Sequence, residues 1–258
     1  MKVETLQAGG AQLTVYLREP SASMPETQAR PLVLVVPGGG YEHVSQREAD
    51  PVAVQFLAAG YHAAVLWYSV GEQARDYRPL AQLNEAMALL RAHAGAWGIR
   101  PRQIALCGFS AGAHLALSGA VLDLPGCAGA QQRPDALILS YPVVTAGPFA
   151  HRGSFVQLSG SQDPADHLAF GLEDKITPAV PPVFVWHTME DATVPVENTL
   201  MLVSALHKAG VPCEAHLFPH GKHGLSVCTA EVGNEMPHPG RWLELAKEWL
   251  GEVFDFHP

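Results

Sequence analysis

With 258 residues, 48% of them hydrophobic, the chain is long enough to bury a full core, and one domain spanning 1–258 is the expected organisation. Its formal charge of −9 and the scatter of its 16 basic residues exclude a stripe that would track a phosphate backbone, so nucleic acid is not an expected partner. Met1-Lys2-Val3-Glu4-Thr5 lacks the apolar run of a secretory leader, and no stretch reaches the length of a membrane span, so the chain as it stands reads as cytoplasmic and not membrane-bound.

In chain order, the alternation in Leu13-Thr14-Val15-Tyr16-Leu17 suggests a first edge strand or hairpin, and the Ser-, Pro- and Ala-rich stretch 20–30 a surface loop. From residue 32 onward short apolar runs alternate with longer helical patterns. This is the rhythm of an α/β fold, a mostly parallel central sheet with helices on both faces. Strands are expected at 32–36, 62–68, 103–107, 136–140, 182–187 and 213–218, and helices near 49–59, 79–97, 110–122, 195–209 and 241–254. Gly60, Gly98 and Gly210 stand where a glycine would end a helix, and Pro79 and Pro195 where one would begin. The segment 143–180, with Gly147-Pro148, Gly160, Pro164 and Pro178, breaks the rhythm; it reads either as a small lid-like insertion over a site or as an ordinary crossover. The four cysteines, Cys107, Cys127, Cys213 and Cys228, form no C-x-x-C pair and read as reduced, buried thiols.

The strand at 103–107 runs into Gly108-Phe109-Ser110-Ala111-Gly112 and then a helix, the context in which G-x-S-x-G marks a nucleophile. Glycines at 108 and 112 permit a bend too tight for Cβ atoms, which would hold Ser110 in a strained conformation with its hydroxyl projecting from the sheet. After the strand at 32–36 comes Pro37-Gly38-Gly39-Gly40-Tyr41. Bare amides of Gly39 and Gly40, with that of Ala111, suit an oxyanion hole, because a tetrahedral intermediate carries full negative charge on one oxygen. A phosphate cradle is the competing reading of the triplet, but no Lys-Ser or Lys-Thr follows and the G-x-G-x-x-G spacing is absent.

Asp191 lies in the loop after the strand at 182–187, 81 residues beyond Ser110, and is the expected acid; Glu190 beside it could take the same role, and a helix-capping aspartate is the plainer alternative. His223, in Pro219-His220-Gly221-Lys222-His223-Gly224, is the expected base, and the order Ser, Asp, His is that of the α/β-hydrolase fold. His216, His220 and His223 also have an H-x-x-x-H-x-x-H spacing, yet no clustered carboxylate or cysteine completes a metal site, and neither metal nor cofactor is expected. His43, His62, His114 and His187 read as ordinary polar or core positions. A base of this kind gives activity with an acid limb near neutrality, since a protonated imidazole cannot take the serine proton.

The motifs PGGGYEHVSQREADPVA from Pro37, YHAAVLWYSV from Tyr61, IALCGFSAGAHLA from Ile104 and PPVFVWHTMEDATVPVENTLMLVSALHKAGVPCEAHLFPHGKHGLS from Pro181 together resemble the α/β-hydrolase esterases of the acetyl-xylan esterase-like, or bifunctional carbohydrate and feruloyl esterase, family. The resemblance covers almost the whole chain. It implies Ser110 as nucleophile, Asp191 as acid, His223 as base, and Gly39, Gly40 and Ala111 as oxyanion donors, acting on short acyl esters, acetyl above all, of xylo-oligosaccharides or related sugars, with some activity on phenolic esters. It departs at Ala113, where a glycine is usual, and the loop 160–167 does not align. Tyr41, beside the hole, is a candidate substrate-binding ring, as are Trp67 and Trp186, for which a core position is the plainer account. A peptidase, formamidase or lactonase on the same three residues, or a non-catalytic binding protein of the same fold, are the alternatives, and a homodimer is left open.

Overall fold

The computed structural model describes residues 1–24, 27–123 and 132–257. Eight strands form one sheet: β1 (Lys2–Ala8), β2 (Ala11–Leu17), β3 (Arg30–Val36), β4 (His62–Trp67), β5 (Ile99–Phe109), β6 (Ala136–Ser140), β7 (Val183–Thr188) and β8 (Cys213–Phe218), in the order β1-β2-β4-β3-β5-β6-β7-β8. β1 and β2 pair antiparallel through a tight turn at Gly9-Gly10, where both residues have positive φ (57° and 85°) and Ala8 faces Ala11. All pairings from β4 and β3 to β8 are parallel.

The sheet is covered on both faces because its central strands are apolar on both. Leu32, Leu34 and Val36 of β3 pack on one side with α2 (Arg78–Ala92), α3 (Ala94–Trp97), α4 (Ala111–Val121) and α7 (Glu197–Ala209). Val33 and Val35 pack on the other with α1 (Asp50–Ala58) and α9 (Trp242–Phe254). The expected helix at 79–97 is broken in two at His93, whose Nδ1 bonds the carbonyl of Leu89. The irregular segment 143–180 is the crossover between the parallel neighbours β6 and β7. It contains α5 (Arg152–Ser159), packed against the 71–77 turn, and the single turn α6 (Pro164–His167). One further short turn, α8 (Pro237–Gly240), precedes α9.

From β3 the chain crosses by α1 to β4, and from β5 by α4 to β6 on the opposite side. The C-terminal ends of β3 and β5 therefore form a crevice where connections diverge, the place where sheets of this kind bind ligands. Cys107 and Cys228 are buried and Cys213 is partly so; all three are free thiols, and Cys127 lies outside the described residues. Among the described residues no helix is long and apolar enough to cross a membrane.

Two of the buried histidines support the fold only when neutral. His62 accepts from the Arg18 N–H (3.1 Å) and reaches the Gly98 carbonyl (3.2 Å), while His114 sits between the Tyr41 hydroxyl (2.8 Å) and the Phe170 carbonyl (2.9 Å). Burial pulls both down to about 4, at His62 with help from Arg30 and Arg18 and at His114 from Lys175. The unfolded chain takes up protons at these rings from about pH 6.5 downward, so stability is lost as the pH falls from there toward 4. The urea midpoint is expected to decline between pH 7 and pH 4.5. In His62→Gln, whose amide offers the same acceptor and donor without titrating, the decline should be shallower, and an unchanged slope would refute the assignment.

Candidate active site

Ser110 occupies the turn between β5 and α4 with φ 53° and ψ −118°, a backbone conformation rarely adopted by a residue with a side chain. The neighbouring glycines make it accessible. A Cβ on Gly112 would stand 2.1 Å from the Val36 carbonyl oxygen and 2.3 Å from that of Pro37, and one on Gly108 2.6 Å from the Ala113 Cα. The strained residue is held by its own backbone: the Ser110 N–H donates to the Ser140 carbonyl (2.9 Å), and its carbonyl accepts from Ala113, His114 and Val143.

His223, in the loop after β8, is at hydrogen-bond distance from Ser110 Oγ through Nε2 (2.8 Å) and from Asp191 Oδ2 through Nδ1 (2.6 Å). Asp191, after β7, has a fully buried side chain. Its Oδ1 accepts the N–H groups of Thr193 and Val194 (2.9 Å each), and its Oδ2 faces a second imidazole, His187 Nε2, at 3.2 Å. His187 Nε2 also meets the Val194 carbonyl (3.0 Å), which can only accept, so this nitrogen carries the proton; Thr199 Oγ1 then donates to Nδ1 (2.8 Å). Burial by itself would raise the Asp191 carboxyl, but the hydrogen bonds from His187 and His223, the nearness of His223 and the Val194 amide hold it well below the usual carboxylate range. An ionised Asp191 fixes the proton of His223 on Nδ1, which leaves Nε2 free to accept from the serine hydroxyl.

The loop after β3 lies against Ser110. A Cβ on Gly38 would be 3.0 Å from the Ser110 Cβ. Its polar groups are held away from the crevice: Tyr68 donates to the Pro37 carbonyl (2.6 Å), Ser45 to that of Gly38 (3.0 Å), and Glu42 and His43 to that of Gly39 (3.0 and 3.1 Å). The Gly38 N–H is taken by Glu48 Oε2 (2.9 Å). The N–H groups of Gly39, Gly40 and Ala111 have no partner among the described residues. Gly39 adopts φ 121°, where a Cβ would meet the His43 carbonyl oxygen at 2.1 Å. Gly39, Gly40, Ser110, His151 and His223 line one cleft of about 260 Å³.

Glu48 itself was not apparent from the sequence. Nearly buried, it accepts from Gly38 with one oxygen and from the Tyr141 hydroxyl with the other (2.6 Å). That hydroxyl accepts from the Ser226 N–H (2.9 Å), and the Tyr141 ring meets the His223 ring edge-on at 4.9 Å. Burial first, and the Glu48 charge after it, raise the Tyr141 phenol well above its ordinary value, so it stays a donor. Glu48 and Tyr141 thus tie the glycine loop to the loop that carries His223. His187 and His151 also stand at the site, the first expected as an ordinary polar or core position. The spacing of His187 four residues before Asp191 was the one available signal.

One expectation, that of Tyr41, is corrected, while Trp186, Glu190 and the histidine spacing fall on the plainer of their readings. Tyr41 presents no face to a substrate: with φ 59° its side chain turns inward, it is fully buried, and its hydroxyl bonds His114 Nδ1 (2.8 Å). Trp186 is likewise in the core, its Nε1 donating to Ser140 Oγ (2.7 Å). Glu190 does not stand in for Asp191, since it is exposed and bonds His220 (2.8 Å) and the Gly221 N–H (3.2 Å). The three spaced histidines take different partners, His216 going to Glu214, His220 to Glu190 and His223 into the cleft.

A serine strained at a strand-to-helix turn, an imidazole and a buried carboxylate at the carboxyl ends of a doubly wound sheet define an α/β-hydrolase. The BD-FAE family profile matches residues 20–125. The chain is 34% identical to a crystallised acetyl ester-xyloside bifunctional hydrolase from Caldicellulosiruptor lactoaceticus, with a TM-score of 0.83 over 96% of this chain and 89% of that one. It is 35% identical over 212 residues to endo-1,4-beta-xylanase B of Butyrivibrio fibrisolvens, covering 78% of this chain and 33% of the relative. It is 28% identical over 228 residues to the acetylxylan esterase of Xylanibacter ruminicola, covering 86% and 45%. The chain thus spans less than half the length of either curated relative. It belongs to the acetyl-xylan esterase-like family of α/β-hydrolases.

Replacing Tyr141 by Phe removes the donor to one buried Glu48 oxygen and the acceptor of the Ser226 N–H. Each orphaned buried group costs about 1–3 kcal/mol. Tyr141→Phe is therefore expected to lower the unfolding free energy in urea by about 2 kcal/mol or more; a change under about 0.5 kcal/mol would show that the tie carries no weight.

Proposed function

We propose that this protein hydrolyses short acyl esters, acetyl esters above all, of xylo-oligosaccharides or related sugars, with Ser110, His223 and Asp191 as its catalytic triad. The observation that carries the reading is the unbroken relay from Ser110 Oγ through His223 (2.8 Å) to the buried Asp191 (2.6 Å). The small cleft suits a short acyl group, and the acetylxylan esterase and the acetyl ester-xyloside hydrolase among the similar proteins supply the leaving group.

Ser110 Oγ attacks the acyl carbon as His223 Nε2 takes its proton. The carbonyl oxygen gains negative charge and is met by the N–H groups of Gly39, Gly40 and Ala111, which have no partner among the described residues to give up. His223 returns the proton to the departing sugar oxygen, leaving an acyl-enzyme. A water deprotonated by the same imidazole then attacks, and collapse of the second intermediate frees the acid and restores Ser110. Asp191 does not exchange a proton; it orients His223 and stabilises the imidazolium. The steps require no cofactor.

Ser110→Ala is expected to keep the fold and lose at least about 1,000-fold in turnover of p-nitrophenyl acetate. The parent should be labelled at Ser110 by an organophosphonate and should release acetate from acetylated xylo-oligosaccharides. Turnover confined to N-formyl amides or dipeptide amides, or a Ser110→Ala variant as active as the parent, would overturn the reading.

A further inference from the structure

His151 belongs to the crossover between β6 and β7 and caps α5 from the wall of the cleft. Its Nδ1 is taken up within the crossover, accepting from the Ser154 N–H (3.3 Å) with Ser154 Oγ at 2.9 Å. Its Cε1 lies 3.6 Å from the position of a Cβ on Gly40, so the ring edge stands against the glycine loop. The remaining nitrogen, Nε2, has no hydrogen-bond partner among the described residues, and the residue is only partly buried. Because Nδ1 is an acceptor, Nε2 carries the proton of the neutral ring. Burial, with the nearby His223 added, holds this imidazole below the usual histidine range despite the opposing pull of Asp191.

The cleft thus presents the His151 Nε2–H beside the bare amides of Gly39, Gly40 and Ala111, with His43 and Arg47 also in its wall. An acetyl group has a single polar atom, the carbonyl oxygen, and the amides of Gly39, Gly40 and Ala111 suffice for that. Any other acceptor in an acetylated sugar lies on the leaving group, in its hydroxyls or ring oxygen. We propose that His151 Nε2–H binds a leaving-group oxygen next to the scissile ester, making this crossover a specificity element for polyhydroxylated esters. The inference rests on the esterase reading above and adds a residue to it.

The capping role and the binding role of His151 can be separated. His151→Asn keeps an oxygen where Nδ1 accepts from Ser154, asparagine being a favoured helix cap, but has nothing at the position of Nε2. His151→Gln restores an N–H near that position. The parent and both variants should be compared on acetylated xylo-oligosaccharides and on phenyl acetate, whose leaving group has no acceptor beyond the ester oxygen, with thermal melts confirming the fold. In His151→Asn the KM for the sugar ester should rise roughly 3- to 10-fold, the value of one neutral hydrogen bond, with kcat little changed and phenyl acetate unaffected. His151→Gln should recover part of the loss. Equal kinetics of His151→Asn and the parent on the sugar ester would overturn the inference while leaving the esterase reading intact. An equal loss on both esters would also overturn it, since it would put the donor on the oxyanion. A parent inactive on both esters would overturn both readings.

Discussion

The site depends on a carboxylate that stays ionised with no solvent contact. Asp191 is stripped of water at its side chain, a condition that favours the neutral acid by itself. Four donors replace the lost hydration: two backbone N–H groups on one oxygen and two imidazoles on the other. The backbone pair comes from the turn that leads toward α7, and one imidazole from β7 itself, so three of the four are set by local chain geometry before the distant His223 arrives. This order of construction matters. A preformed anion selects the tautomer of His223, and the tautomer determines which nitrogen faces the serine.

A second buried carboxylate plays a different part. Glu48 makes no hydrogen bond to Ser110, His223 or Asp191, yet it joins the glycine loop after β3 to Tyr141 after β6, and Tyr141 joins the loop beyond β8. Since Gly38 spends its N–H on Glu48, the next two amides in the run of three glycines are the ones without a partner among the described residues. The Ser226 loop is further secured by its hydroxyl on the Arg47 carbonyl (2.5 Å) and by Trp242 Nε1 on its own carbonyl (2.9 Å). Two loops that meet at the cleft are thereby fastened to one strand end.

The parts legible in the sequence are those whose chemistry is local. The apolar runs of β3 to β7, the glycines flanking Ser110, the bare triplet at 38–40 and the glycine-bounded His223 can each be read within a few residues, and the structure brings Ser110, Gly39, Gly40 and His223 to one cleft. β1 was only hinted at as a hairpin partner of β2, because as an exposed edge strand it buries little beyond Ala8. Glu48, Tyr141, His151 and His187 were not legible as site residues; Glu48, for one, meets Tyr141 at a separation of 93 positions. Tyr41 misled for a related reason. Its neighbours in sequence are at the site, but a left-handed backbone turns its ring into the core, where it meets His114, 73 positions away.

That left-handed turn is one of several. Tyr41, Ser110, Tyr141 and Ser226 all have positive φ (59°, 53°, 38° and 53°), and they belong to four of the loops that meet around the cleft. Such conformations cost on the order of 1–3 kcal/mol each and persist only where surrounding contacts over-determine them. Here the contacts are identifiable: Gly71 on the Tyr41 carbonyl, Ser140 on the Ser110 amide, Trp186 on the Tyr141 amide, and Tyr141 on the Ser226 amide. Three of these four link adjacent loops or strand ends to one another, so relaxing one strained residue pulls on the next. Strain and hydrogen bonding at this end of the sheet form one connected structure, and the 2.8 Å contact between Ser110 and His223 lies within it.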